Sequence, residues 1–296
     1  MSRTSTGGSF ALLGAAGFEA IREARLQAHW AAQVVAAAAD ARLARRPDDS
    51  QSNLGWDSAA RAFATRELGG GRQAWMRPAD LTLGLSAPEG EPGSGEAFAL
   101  AGRSLDDAFA WMAARLDAGL GEQETQPGLR EYDLPSHPVR DGAPFDAASE
   151  ALAEVANWFD GAARILADVA TSDERASEPR CWPHHFDVAT LITIDADLDP
   201  EVARSIGVGL SPGDGGIPDP YFYVNPWPRP DAASATELPG LAKGAEWHVE
   251  GFVGALVHAE RILAVTSEAR EAWVRAAVRE AIETERELLG DDTRKA

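Results

Sequence analysis

Residues 180 to 195, "RCWPHHFDVATLITID", bring several chemically reactive side chains together. Two adjacent histidines, an aspartate two residues after the second of them, and the single cysteine of the chain precede or open an apolar run. Imidazole and carboxylate groups at this spacing suit a divalent metal or a proton-transfer site. Whether they can act together depends on the element that carries them.

The apolar run predicts a β-strand. From Phe186 to position 194, every second residue is apolar or threonine, so this set faces the core. His185 and Asp187 then share the opposite face, whereas His184 points to the buried side or lies just before the strand. The two histidines therefore cannot both ligate one metal from a regular strand, unless Pro183 breaks it. His185 and Asp187 are the candidate pair.

A β-hairpin is predicted further along the chain. The segments "SIGVGLS" and "PYFYVNPWP" flank the turn-rich "PGDGGIPD". Phe222 and Val224 fit a core face, so the open face that carries His185 and Asp187 is expected to carry Tyr221, Tyr223 and Asn225 as well. Such a face suits a small molecule held by stacking and hydrogen bonds. The alternative is a solvated or loop-covered face with ordinary cross-strand pairs.

The turn of this hairpin contains "SPGDGG", residues 211 to 216. It lacks the lysine and the following helix of a phosphate-binding loop, and Asp214 would repel phosphate. The segment therefore predicts a hairpin turn. In the alternative interpretation, Ser211 and Asp214 project at the rim of a site, and Asp214 is a candidate ligand-binding residue.

The stretch "EWHVEGFVGALVHAERI" predicts a helix with His248 in its first turn. The helix dipole there favours the neutral imidazole, which is the form that binds metal. His185, Asp187 and His248 could then ligate a divalent metal such as zinc, with Glu250 as the general base of a hydrolase. No spacing signature demands this set, because the stretch lacks the two histidines one helical turn apart of the HExxH arrangement.

Composition limits the partners. The chain has 296 residues, 45% of them apolar, and a net charge of −20. This charge repels phosphate backbones and anionic lipid, so neither nucleic acid nor a membrane is an expected partner. Acidity is equally typical of an ordinary solvated surface. A single cysteine, Cys181, excludes an intrachain disulfide and fits a cytoplasmic location.

The chain also contains two similar halves. Residues 1–116 and 147–265 each begin with a long helix and continue with strands, residues 117–146 form a proline-rich linker, and residues 266–296 carry a charged helix. Matched positions are 128, 126, 125 and 124 residues apart in the pairs Trp30 and Trp158, Trp56 and Trp182, Leu85 and Leu210, and Phe98 and Phe222. The pattern predicts an α+β fold, a tandem duplication of an α-β-β-β-α unit. Antiparallel strands from both halves should pack with the helices in one compact domain, with a groove between the halves.

Three segments resemble a known family. "HWAAQ" in the first helix, "CWPHHFDVAT" and "PYFYVNPWP" are similar to an uncharacterised bacterial domain-of-unknown-function family with a Pro-His-His-Phe-Asp strand motif. The resemblance extends to about residue 265. It implies the α+β fold and supplies no activity and no catalytic residues.

Three functions remain open from the sequence. The first is small-molecule binding in a groove lined by the second-half strands and the start of the His248 helix. The second is the metal-dependent hydrolase. The third is a scaffold whose sheet mediates self-association, in which case the final charged helix could pack on a second copy to form a homodimer.

Overall fold

The protein is described by a computed structural model that covers residues 8–123, 125–148, 150–199, 202–230 and 238–291. Within these ranges the helices are α1 (Phe18–Arg42), α2 (Leu105–Leu120), α3 (Glu150–Ser172), α4 (Ala259–Ala264) and α5 (Arg270–Leu289). The strands of the first half are β1 (Gly55–Asp57), β2 (Ala62–Ala64), β3 (Ala74–Arg77), β4 (Thr82–Leu85) and β5 (Glu96–Ala99). Those of the second half are β6 (Arg180–Trp182), β7 (Asp187–Thr193), β8 (Ser205–Ser211), β9 (Tyr221–Trp227), β10 (Glu246–His248) and β11 (Gly254–His258).

The strands form two antiparallel sheets, one in each half. The first has the order β1-β2-β3-β4-β5 and the second β10-β11-β9-β8-β7-β6. The two sheets meet at their edges, where Leu54 and Cys181 exchange backbone hydrogen bonds of 2.9 and 2.7 Å. Each half therefore has more strands than the predicted unit of three, and the halves touch through β1 and β6.

The helices cover one side of both sheets. α1 packs on β3 and α2 on β4, whereas α3 packs on β7 and β8, and α5 on β8, β9 and β11. One hydrophobic cluster joins both halves and includes Trp30, Phe63, Trp158, Phe159 and Phe186. The predicted α+β fold in one compact domain is thus confirmed. The tandem duplication stays a prediction.

The predicted β8–β9 hairpin is confirmed, and two further contacts define parts of the first half. Ser104 caps α2, and its hydroxyl and the Asp107 carboxylate form a reciprocal capping box with the first-turn backbone. The hairpin of β8 and β9 pairs Ser211 with Tyr221 and Ser205 with Trp227. In the proline-rich segment, Phe145 is buried and forms a bridge to Ala101, so this segment wraps the first half.

The predicted helix at His248 is wrong. Residues 246–258 form the hairpin β10–β11, in which His248 pairs with Gly254, and helix α4 begins only at Ala259. β11 lies between β10 and β9, and its first four residues are buried. A strand buried on both faces is a continuous apolar run, which periodicity cannot distinguish from a helix. The helix-dipole argument for a neutral His248 therefore does not hold.

Among the described residues, no helix combines the length and the apolar character that a bilayer span requires.

Gly84 provides a test of the first sheet. The Trp75 indole of β3 lies over Gly84 of β4, and a Cβ atom at Gly84 would be 2.1 Å from the ring. Gly84→Ala should therefore lower the free energy of unfolding by about 1–3 kcal/mol, the usual range for overpacking. Urea denaturation measures this change. Gly128→Ala, with open space around the glycine, is the matched control. Equal stability of the two variants would contradict the packing described.

Candidate functional site

The outer face of the second sheet carries the candidate residues. On β7, Val188, Thr190 and Ile192 are buried toward the helices, as the alternation predicts. On β9, Phe222 and Val224 are buried in the same way. The opposite face brings together the residues predicted to share it, namely His185, Asp187, Tyr221, Tyr223 and Asn225, which line one cavity.

The two histidines lie in a turn and not in a strand. Pro183 ends β6, and residues 183–186 form a turn before β7 begins at Asp187. The Trp182 carbonyl accepts hydrogen bonds from the backbone N–H groups of His185 at 3.1 Å and Phe186 at 2.7 Å. Phe186 has φ of +57°, a left-handed conformation that bulky residues rarely adopt. Pro183 does break the strand, which is the alternative that the sequence left open, and both histidines precede β7.

Helix α1 holds this turn in place. The Pro183 carbonyl accepts hydrogen bonds from Gln33 Nε2 at 2.7 Å and His29 Nε2 at 2.8 Å. These two residues are four apart, so they lie on the same face of the helix. The His29 ring also stacks on Phe186, with 5.1 Å between the ring centroids and 9° between the planes. His29 thus anchors the turn.

The protonation of His29 follows from this contact. A carbonyl only accepts hydrogen bonds, so Nε2 carries the proton. Burial is the main cause that lowers the pKa of His29 to about 4. The imidazole is therefore neutral at pH 7, and the α1–turn contact involves no net charge.

His184 and His185 project from the turn as neighbours. Their ring centroids are 4.2 Å apart. His184 is half-buried, packs on Tyr132 and Trp182, and has its pKa lowered to about 4, chiefly by burial. His185 is exposed. Both histidines therefore face the candidate site, although only His185 was expected to.

Three adjoining cavities share His185. Their volumes are about 640, 320 and 260 Å³. We name the combined depression the His185 groove and define it by Trp182, His184, His185, Asp187, Tyr223 and Asn225. Its largest cavity is also lined by the first-half residues Ser50, Asn53 and Arg66. The groove thus lies where the two halves meet.

Tyr223 and Asp187 form a buried polar pair on the floor of the groove. The Tyr223 side chain crosses β8 over Gly209, where a Cβ atom would be 2.5 Å from the phenol oxygen. Its hydroxyl donates to Asp187 Oδ2. Asp187 Oδ1 is buried, and the described part of the chain offers it no hydrogen-bond partner. Burial raises the pKa of the Asp187 carboxyl and that of the Tyr223 phenol.

Asp214 has partners within its own loop. Its Oδ2 accepts the Tyr221 hydroxyl at 2.5 Å, and its Oδ1 accepts the backbone N–H groups of Gly216 and Ile217. The pKa of Tyr221 is raised, mainly by burial. Tyr221 and Asp214 line the edge of the groove and also fix the hairpin turn.

The predicted metal set is not assembled. His248 Nε2 donates to the Glu250 carbonyl at 2.6 Å, and the His248 ring packs on Phe252, which lines the groove edge. Among the described residues, no three His, Cys, Asp or Glu side chains lie together as a metal site would require. His185 and Asp187 thus share the groove without His248 and Glu250.

Sequence reasoning missed the first-half wall of the groove. Asn53 and Arg66 carry no motif, and only the fold brings them beside β6 and β7. The anchor on α1 did have a signal, because His29 and Gln33 are one helical turn apart in "HWAAQ".

Comparison of the chain with protein-family models, with curated proteins and with solved structures found no match.

Tyr223→Phe tests the polar pair. The substitution leaves the Asp187 carboxyl without the hydroxyl that lowers its pKa, so that pKa should rise further. The free energy of unfolding should fall by about 1–3 kcal/mol, the cost of a buried group that loses its partner. Carboxyl carbon NMR and urea denaturation measure the two effects. Tyr221→Phe is the control, because Asp214 keeps two backbone donors. An unchanged Asp187 pKa in Tyr223→Phe would contradict the pairing.

His29→Gln tests the anchor through pH. The folded-state pKa of His29 is about 4, below the value of about 6.5 in an unfolded chain. Between these values only the unfolded state binds the proton, so the wild type loses stability as the pH falls. Glutamine can still donate to Pro183 but does not titrate. The stability of the wild type should therefore fall more steeply, by about 1.4 kcal/mol per pH unit. If urea denaturation shows that the stabilities of the wild type and His29→Gln change in parallel with pH, a buried neutral His29 is ruled out.

Proposed function

We propose that the protein binds a small polar molecule in the His185 groove. One observation carries this proposal: three adjoining cavities converge on His185, and the largest, of about 640 Å³, is shared by both halves of the chain. This volume lies in the usual range for small-molecule sites.

The groove surface has the composition of a binding site. On its floor, Ala189 carries only a methyl group, and the Asn225 amide lies over Gly207, where a Cβ atom would be 2.6 Å from Asn225 Oδ1. Trp182 and His185 supply ring faces at the edge for stacking. The Asn225 amide can both donate and accept hydrogen bonds. The unpaired Asp187 Oδ1 is a further polar atom that a ligand hydroxyl or N–H group would satisfy.

The other two functions have less support. The metal-dependent hydrolase needs His248 and Glu250 in the groove, and their contacts lie in the β10–β11 turn. A self-association scaffold would not need a buried carboxyl with a free oxygen at the bottom of a cavity. We therefore propose that the protein binds a ligand, and we propose no reaction.

A cytoplasmic location is part of the same proposal. The one cysteine, Cys181, is fully buried and free, which fits a reducing cytoplasm. The net charge of −20 disfavours a nucleic acid as the partner.

A screen of small metabolite-like compounds by thermal unfolding tests the proposal. A groove ligand at a hundred times its Kd should raise the Tm of the wild type by about 5 °C. Ala189→Phe places a large ring on the groove floor and should abolish that rise. The matched control is Ala97→Phe, since Ala97 and Ala189 each lie on a strand directly opposite a glycine of the neighbouring strand. The control should respond as the wild type does.

The screen can contradict the proposal in two ways. Either no compound raises the Tm, or the compounds that do so act equally on Ala189→Phe. In the second case the ligand site lies elsewhere on the molecule.

A further inference from the structure

Two arginines lie at one end of the His185 groove. Arg66 follows β2 in the first half, and Arg180 opens β6 in the second half. Both line the largest cavity of the groove. The Arg180 guanidinium lies over Gly55 of β1, where a Cβ atom would be 2.8 Å from Nη1. The absence of a side chain at Gly55 thus makes room for this arginine beside the junction of the sheets.

Arg66 has little pairing of its own. Its one hydrogen bond among the described residues is a long contact of 3.4 Å from Nη2 to Asn53 Oδ1. Its Nε is buried without a partner in the same part of the chain. Burial lowers the pKa of Arg66, and the nearby positive charges of Arg180 and Arg46 lower it further. The guanidinium groups of Arg66 and Arg180 therefore share this end, and that of Arg46 contacts Ser50 in the cavity wall at 3.4 Å.

The acidic residues nearby only partly offset this charge. Glu178 accepts two hydrogen bonds from Arg180, and its side chain is 66% exposed. Asp48 lies at the edge of the cavity, where its carboxylate accepts the backbone N–H of Ser50. Arg66 forms no ion pair with a carboxylate of the described residues, although the chain has 47 acidic and 27 basic residues. Such an arginine is suited to binding an anionic group of the ligand.

We propose that the ligand of the His185 groove is a small organic anion whose carboxylate or phosphate binds Arg66 and Arg180. Its body lies over Ala189, and a polar group reaches Asp187 and the Asn225 amide, which covers Gly207. This inference rests on the proposed function, and it adds the chemical class of the ligand. The anion would contact both halves of the chain next to the bridge between Leu54 and Cys181.

The orientation follows from the charges along the groove. Asp187 and Asp214 occupy the end formed by β7, β9 and the hairpin turn, whereas the arginines occupy the end formed by β6 and the first half. An anionic group is repelled at the first end and attracted at the second. A hydrogen-bond donor on the ligand suits the opposite end, because Asp187 Oδ1 lacks a donor.

Ligand-observed NMR titrations test the inference with three probes of similar shape: benzoate, phenyl phosphate and neutral benzamide. Each is titrated into the wild type, Arg66→Met, Arg66→Lys, Ala189→Phe and the control Arg115→Met. Arg115 pairs with Glu96 on the surface and lines none of the three cavities. Methionine retains the length of the arginine stem without its charge, and thermal unfolding verifies that each variant is folded.

The expected result is that at least one anion binds the wild type more tightly than benzamide does. Arg66→Met should weaken this binding about tenfold, the effect of losing one charge-assisted contact. Arg66→Lys should restore part of it, and Arg115→Met should bind as the wild type does. The affinity for benzamide should be the same in Arg66→Met as in the wild type.

Three results would overturn the inference: no anion binds at millimolar concentration, benzamide binds as well as the anions, or Arg66→Met binds the anions as tightly as the wild type. The proposed function fails separately. If binding of every probe is the same in Ala189→Phe as in the wild type, the probes bind outside the groove. If Ala189→Phe abolishes binding and Arg66→Met does not change it, the groove binds small molecules without selecting anions.

Discussion

The carbonyl of Pro183 is the group on which the site depends. The turn after β6 buries this carbonyl, and a buried acceptor must find a donor. Helix α1 supplies two donors, His29 and Gln33, and His29 also stacks on Phe186. These contacts hold Phe186 in a left-handed conformation, which costs free energy for any residue other than glycine. The turn is thereby fixed, and its two histidines are directed into the groove.

The same contacts join the halves of the chain. α1 belongs to the first half, the turn belongs to the second, and the bridge from Leu54 to Cys181 lies beside them. In each sheet a large aromatic side chain covers a glycine of the neighbouring strand, but the two side chains have different surroundings. In the first, Trp75 covers Gly84 within an apolar patch, whereas in the second, Tyr223 crosses a glycine to reach a buried carboxyl. The polar version lies at the groove, where we propose the binding site.

Much of this arrangement was predictable from the sequence. The alternation after Phe186 and in the hairpin strand that begins at Tyr221 gave the right faces, because half-buried strands repeat every two residues. The helix predicted at His248 was wrong, since a strand buried on both faces has no such repeat. The wall formed by Arg66 could not be predicted, because it depends on how the two halves dock. That docking is a tertiary property with no local pattern.

The most direct measurement is a long-range proton–nitrogen NMR spectrum of the imidazole groups at pH 6. If α1 holds the turn as described, His29 is neutral with its proton on Nε2, because burial lowers its pKa to about 4 and the Pro183 carbonyl accepts from that nitrogen. Assignment by comparison with His29→Gln identifies the signal. A charged His29 at this pH, or a neutral ring protonated on Nδ1, would contradict the account.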